Sequence, residues 1–117
     1  MRIAIDPSCR LYVDAAGPEL VPDGAKLRKL PTLILLHGGP GFDHAGFRAY
    51  FPRFQDIAQV LYYDHRGMGR SDRGTSEQWN LAQWGLDLAG LIDQLGIERP
   101  IILGQSFGGF VALEYAT

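Results

Sequence analysis

The stretch Ile101-Ile102-Leu103-Gly104-Gln105-Ser106-Phe107-Gly108-Gly109-Phe110-Val111-Ala112-Leu113-Glu114-Tyr115-Ala116 decides how this chain is read. Its first three residues make a short apolar strand, and the run from Phe110 to Ala116 has the composition of a helix. Between them lies Gly-x-Ser-x-Gly, carried by Gly104, Ser106 and Gly108. A turn of this pattern between strand and helix lifts a serine hydroxyl above the edge of a sheet. Such a turn is tight enough that side chains at the flanking positions would collide, so both must be glycine. Ser106 is therefore the candidate nucleophile. The five-residue pattern is weak by itself in a chain with 15 glycines. The strand before it, the helix after it and two further glycine-rich turns strengthen it.

Those two turns also follow apolar runs. Thr32-Leu33-Ile34-Leu35-Leu36 ends at His37-Gly38-Gly39-Pro40-Gly41, and Val60-Leu61-Tyr62-Tyr63 ends at Asp64. Continuous apolar runs read as strands buried on both faces, as in a parallel sheet covered by helices. The spacing predicts parallel strands near residues 32–36, 59–63 and 101–104. Asn80 can cap a helix that runs to about Leu95, with Leu81, Trp84, Leu88, Leu91, Ile92 and Leu95 on one face and Gly96 as its C-cap. Ile3–Ile5 and Leu11–Val13 read as short strands, residues 17–31 as a loop, and Phe47–Phe54, interrupted by Pro52, as a short broken helix. The class is α/β, a mostly parallel sheet flanked by helices. The glycine-rich turns all fall at strand C-termini, where open α/β sheets place their ligands.

A serine attacking a carbonyl creates an oxyanion that needs hydrogen-bond donors. One is ordinarily the N–H after the nucleophile, here that of Phe107; a second comes from a loop after an earlier strand. Gly39 is the first candidate for that second donor and Gly38 the alternative, so Ser106 Oγ should stand near the Gly39 N–H. His37, at the strand end, reads as a brace for this loop rather than a general base. His37, Asp43 and His44 lack the distal ligand pair that a metal centre would need. In Asp64-His65-Arg66-Gly67-Met68-Gly69-Arg70-Ser71, Gly67-x-Gly69 lacks the third glycine of a dinucleotide fingerprint, and no helix opens there. A structural turn, with Asp64 and Arg66 paired, is the expectation. Trp79 and Trp84 read as helix-start and core packing.

Composition narrows the class further. The chain is 46% apolar and 21% charged with a net charge of −2, ordinary for a globular protein and without the basic excess that nucleic acid or an anionic membrane would demand. Lys26, Arg28 and Lys29 sit beside Pro22-Asp23-Gly24 as a solvated loop. Cys9 is the one cysteine, which excludes an internal disulfide and fits a reducing, cytoplasmic setting. The first residues meet a charge and Pro7 before any apolar core forms, so no secretory leader is read.

Taken jointly, His37-Gly38-Gly39-Pro40-Gly41, Asp64-x-Arg66-Gly67-x-Gly69-x-Ser71 and Gly104-x-Ser106-x-Gly108-Gly109 resemble the α/β-hydrolase superfamily, and in order and spacing its proline iminopeptidase-like branch. The resemblance runs from about Leu11 to Thr117. It implies serine-hydrolase chemistry on an ester, amide (including an N-terminal prolyl peptide) or lactone carbonyl, with no cofactor and a small-molecule or short-peptide substrate. Ser106 and the donors Phe107 and Gly39 have counterparts in that family. His37, Gly38, Gly41, Asp64, Arg66, Gly104 and Gly108 fall in its supporting motifs. Two departures stand out: proline iminopeptidases commonly have Gly-Gly-Ser-Trp-Gly at the nucleophile, and glutamine where this chain has His65. A serine rather than an aspartate at position 106 sets the chain apart from the haloalkane dehalogenase and epoxide hydrolase branches.

In such enzymes the catalytic acid and histidine follow the nucleophile, and a cap lies between later strands. No histidine follows His65 here. Residues 1–117 are therefore expected to be the N-terminal portion of one α/β-hydrolase domain, inactive alone and prone to self-association through the open edge of the sheet. The alternatives are a non-enzymatic truncated fold that serves as a binding module, and a nucleotide-binding α/β domain.

Overall fold

The computed structural model describes residues 1–117. Seven strands form: β1 (Arg2–Asp6), β2 (Cys9–Ala16), β3 (Leu20–Asp23), β4 (Lys26–Lys29), β5 (Thr32–Leu36), β6 (Gln59–Tyr63) and β7 (Pro100–Gly104). Two helices join them, α1 (Leu81–Leu95) and α2 (Phe107–Ala116). The main sheet has the order β1-β2-β6-β5-β7. β5 is parallel to both its neighbours, with Ile34 opposite Leu61 on one side and Ile102 on the other. The three expected parallel strands are thus present. β1 and β2 extend the sheet in antiparallel fashion: a tight hairpin links the two, and β2 pairs antiparallel with β6.

Alternation along the strands sorts side chains to two faces. Leu11, Val13, Ile34, Leu36, Leu61 and Tyr63 face the helices and pack with Trp84, Leu88, Leu91, Ile92 and Val111. Leu35, Val60 and Tyr62 face the other way, against Phe47. On that second face the segment read as one broken helix forms two 3₁₀ turns, His44–Phe47 and Phe51–Phe54. Pro52 sits in the first turn of the second one, where its missing N–H costs nothing.

α1 starts where Asn80 accepts a 2.8 Å hydrogen bond from the Gln83 N–H, and ends at Gly96, which takes the left-handed conformation at φ +64°. Trp84, Leu88, Leu91 and Ile92 are buried as the periodicity predicts, whereas Leu81 at the first turn is exposed. Residues 17–31, read as a loop, contain the β3–β4 hairpin, with Asp23 opposite Lys26. Its strands are short and almost wholly exposed, Leu20 and Leu27 included, so no apolar alternation betrays them; Gly24 at φ +62° makes the turn.

The third apolar strand is not buried on both faces. β7 lies at the sheet edge, with Ile101 50% and Leu103 37% exposed. α2 beside it is apolar but for Glu114, and Phe110 and Leu113 stand 61% and 65% exposed.

Candidate active site

β7 runs straight into the turn that carries Ser106. Its pairing with β5 continues through a 3.1 Å bond from the Gln105 N–H to the Leu36 carbonyl. Ser106 then takes φ +53°, ψ −117°, and is the one non-glycine residue in the chain with positive φ. A side chain in this region is strained, and such outliers gather at functional sites. The flanking glycines are forced by contact. A Cβ on Gly104 would overlap the Gly108 carbonyl, and one on Gly108 would overlap the Leu36 carbonyl. α2 therefore begins in contact with the end of β5, and Ser106 stands at its N-terminus. As the first residue of α2, Phe107 has an N–H with no acceptor inside the helix. The Phe107 ring packs edge-on against His65 and Trp84, with centroids 5.5 and 5.0 Å away.

The glycine loop after β5 lies against this turn. A Cβ on Gly38 would sit 3.5 Å from the Gln105 carbonyl oxygen and 3.7 Å from Ser106 Cβ. Gly39, at φ +133°, has room for no side chain, since a Cβ there would stand 2.9 Å from the Gly41 nitrogen. Gly38, Gly39, Gly41, Phe42, Asp43, Gly46, Gln105 and Ser106 line an open cleft of about 510 Å³. The structure thus brings Ser106 together with Gly38, Gly39 and Gly41, and α2 starts at Phe107 beside them. A larger cavity of about 650 Å³, lined by Glu19, Lys29, Thr32, Gln59, Glu98 and Arg99 among others, lies away from this cleft, at the N-terminal ends of β5, β6 and β7.

The remaining motif residues stand behind the cleft. His37 Nδ1–H donates to the Gly38 carbonyl at 2.7 Å, and its Nε2 accepts from the His65 N–H at 3.1 Å. Both ring nitrogens are used, and burial lowers the pKa of the ring, which keeps it neutral. His65 returns the contact, its Nε2–H donating to the His37 carbonyl at 3.1 Å; burial, helped by neighbouring His37, pushes its pKa down to about 3. His44 donates from Nδ1 to Asp64 at 2.7 Å and accepts at Nε2 from Arg48 at 3.1 Å. No histidine lines the cleft. No group of three or more His, Cys, Asp or Glu side chains is placed to hold a metal ion.

Asp64 and Arg66 do not pair with each other, contrary to expectation. Asp64 is fully buried and accepts from the His44 N–H and ring and from the Arg70 N–H. Burial alone would raise its pKa, but these donors outweigh it and hold the carboxyl below its ordinary range. Gly69 must lack a side chain because a Cβ there would overlap the Asp64 carboxylate. Ser71 Oγ closes the turn with a 2.6 Å bond to the Asp64 carbonyl. Arg66 points to the helix side. It makes two 2.9 Å bonds to Asp87 of α1 and a 2.7 Å bond to Asp6 of β1, and these raise its pKa. Sequence reasoning missed Asp87. The available signal was an acid on the apolar stripe of α1, three residues after Trp84 and one before Leu88, a position that demands a buried cationic partner.

A strained serine thus stands between β7 and α2, faced by a glycine loop after β5. The alpha/beta hydrolase fold family model matches residues 31–117, and the chain belongs to that family. Among curated relatives it is similar to the proline iminopeptidase of Lactiplantibacillus plantarum, at 39% identity over 89 residues, covering 71% of this chain and 30% of that protein. The proline iminopeptidase of Clostridium botulinum strain Hall is 39% identical over 85 residues, 72% of this chain and 29% of its own length. Among solved structures, a proline iminopeptidase-related protein from Thermus thermophilus superposes with a TM-score of 0.83 at 30% identity, covering 99% of this chain and 39% of that one. The chain spans about 30% of the length of the curated relatives it matches.

Proposed function

We propose that this chain is the nucleophile-bearing part of a proline iminopeptidase-like serine hydrolase that acts on an ester, amide or lactone carbonyl. Ser106 Oγ attacks the carbonyl carbon. The N–H groups of Phe107 and Gly39 receive the negative charge that develops on the carbonyl oxygen. The observation that carries this reading is the strained backbone of Ser106, the one positive-φ side-chain-bearing residue, set at the mouth of the Gly38–Gly39 cleft.

The general base and the acid that orients it come from sequence after Thr117 in this reading. Support comes from the three histidines, none of which lines the cleft, and from the 30% span of the relatives. Residues 1–117 alone then hold an unactivated serine, a weak nucleophile near neutral pH. Proline iminopeptidase-like relatives make a substrate with an N-terminal prolyl residue the first one to try.

The test has two parts. The gene is read past Thr117 for a downstream acid and histidine, and its full-length product is treated with a fluorophosphonate. Covalent modification at Ser106, lost in Ser106→Ala together with hydrolysis of prolyl amides and activated esters, supports the proposal. Modification elsewhere, or activity that survives Ser106→Ala, overturns it.

A further inference from the structure

The loop that carries Gly39 has little packing of its own. Gly39 and Gly41 adopt φ +133° and +96°, and a Cβ on either Gly41 or Gly46 would meet nothing within 4 Å. Fixing glycine backbone costs more entropy than fixing any other residue, so such a loop must be held from outside. Its two ends, His37 and His44, are held by two consecutive residues at the end of β6. His65 makes the reciprocal pair with His37: backbone N–H to ring Nε2, and ring Nε2–H to backbone carbonyl, each 3.1 Å. Asp64 accepts the His44 N–H at 2.8 Å and the His44 ring at 2.7 Å. Between the two ends, the Gly41 N–H meets only the weak acceptor Met68 Sδ, at 3.5 Å. Both holding residues are buried, and neither lines the cleft.

We propose that Asp64 and His65 are positioning residues, a two-point clamp that sets where the Gly39 N–H stands relative to Ser106. This rests on the reading of Ser106 and Gly39 given above. The oxyanion exists only along the reaction path, so a displaced donor weakens the transition state and leaves substrate binding alone. The effect falls on kcat, while KM holds. A residue that merely supported the fold would change stability and leave the turnover of each folded site unaltered.

The His65 side isolates the point, because its ring works as a neutral donor with a particular reach. Glutamine also offers a neutral N–H of similar reach to the His37 carbonyl; leucine offers none. In the full-length product, folded sites are counted by fluorophosphonate titration, and kcat and KM are measured with p-nitrophenyl acetate. His65→Leu is expected to lower kcat per site by about 10- to 100-fold with KM within about threefold, in keeping with the cost of a displaced or lost oxyanion donor. His65→Gln is expected to restore kcat to within about threefold of the parent, as the shared donor chemistry requires. A parental kcat in His65→Leu, or a rise in KM at constant kcat, overturns the clamp. Should His65→Leu not fold, His65→Asn, too short to reach the carbonyl, takes its place. If neither folds while His65→Gln does, the residue serves stability alone and the proposal fails. Ser106→Ala separates the two claims. Activity in that variant removes the nucleophile reading itself, whereas a silent Ser106→Ala beside a fully active His65→Leu removes only the clamp.

Discussion

Ser106 and Gly108 show how closely backbone and chemistry are tied here. On the proposed function, Ser106→Ala in the full-length product is expected to leave the fold intact and remove about six orders of magnitude of kcat, the scale found when a serine nucleophile is deleted. Gly108→Ala should do the opposite. Its new methyl group has only the backbone carbonyls of Leu36 and His37 to displace, so it is expected to cost about 1–3 kcal/mol of stability, as overpacking does. Urea unfolding checks it, and an unchanged midpoint would mean that α2 can move away from β5. His65 adds a pH dependence. Its folded pKa of about 3 lies below the ordinary 6.5, so between these values the unfolded chain binds a proton that the folded chain refuses. Stability is therefore complete above pH 6.5 and falls as the pH drops toward 3, by at most about 1.4 kcal/mol per pH unit for one group. His37 shifts in the same direction and adds to the slope. The carboxyls of Asp6, Asp64 and Asp72 are depressed below 3.8, so their losses begin only below about pH 4. Urea midpoints at pH 7, 6 and 5 should fall with pH, and fall less steeply in His65→Gln. Equal slopes would place the proton uptake elsewhere.

Between elements, the Arg66–Asp87 pair joins the turn after β6 to the middle of α1, while Asp6 ties in β1. Arg66 is fully buried, and Asp87 nearly so. Removing Asp87 alone leaves a buried guanidinium with only Asp6 to face it. Asp87→Ala is expected to cost about 3 kcal/mol, the lower end for breaking a buried pair. Replacing both partners, as Arg66→Met with Asp87→Leu, should recover much of that loss, because the desolvation of both charges disappears. A double variant less stable than Asp87→Ala would show that the pair attracts more than its burial costs. At the start of the same helix, Asn80→Ala should cost only about 1 kcal/mol, the usual value of an N-cap.

Across the whole chain, the unbalanced feature is the β7 side. The edge of β7 is open, Ile101 and Leu103 are exposed beside it, and α2 is apolar at every position but Glu114, a pattern that belongs to a helix covered nearly all round. No helix is long and apolar enough to cross a membrane, so a bilayer-spanning helix does not explain that pattern. An open, apolar strand edge templates pairing with another chain. Residues 1–117 in isolation are expected to associate, as light scattering would report, and Ile101→Lys to reduce that association by placing a charge on the edge. A monomeric parent chain, or an Ile101→Lys variant that associates to the same extent, would show that the edge is not the contact.

What was legible in the sequence is what depends on local pattern. Continuous apolar runs marked β5 and β6, three- and four-residue spacing marked α1, and Asn80 and Gly96 marked its ends. The glycines around Ser106 marked a turn too tight for side chains, because the steric rule that demands them acts over a few adjacent residues. What the sequence did not reveal depends on which distant groups meet. Asp64 turned to His44 and Arg66 to Asp87, although the two lie two residues apart, because the chain leaves its strand between them and the regular alternation of sides ends there. The β3–β4 hairpin stayed hidden because its strands are four residues each and bury no face, so that their register comes from backbone pairing alone. β7 read as a buried strand because its composition is that of one; its place at the edge follows from strand order, which no local run encodes. The pinning of the Gly39 loop by two neighbouring residues at the end of β6 exists only once β5 and β6 lie side by side.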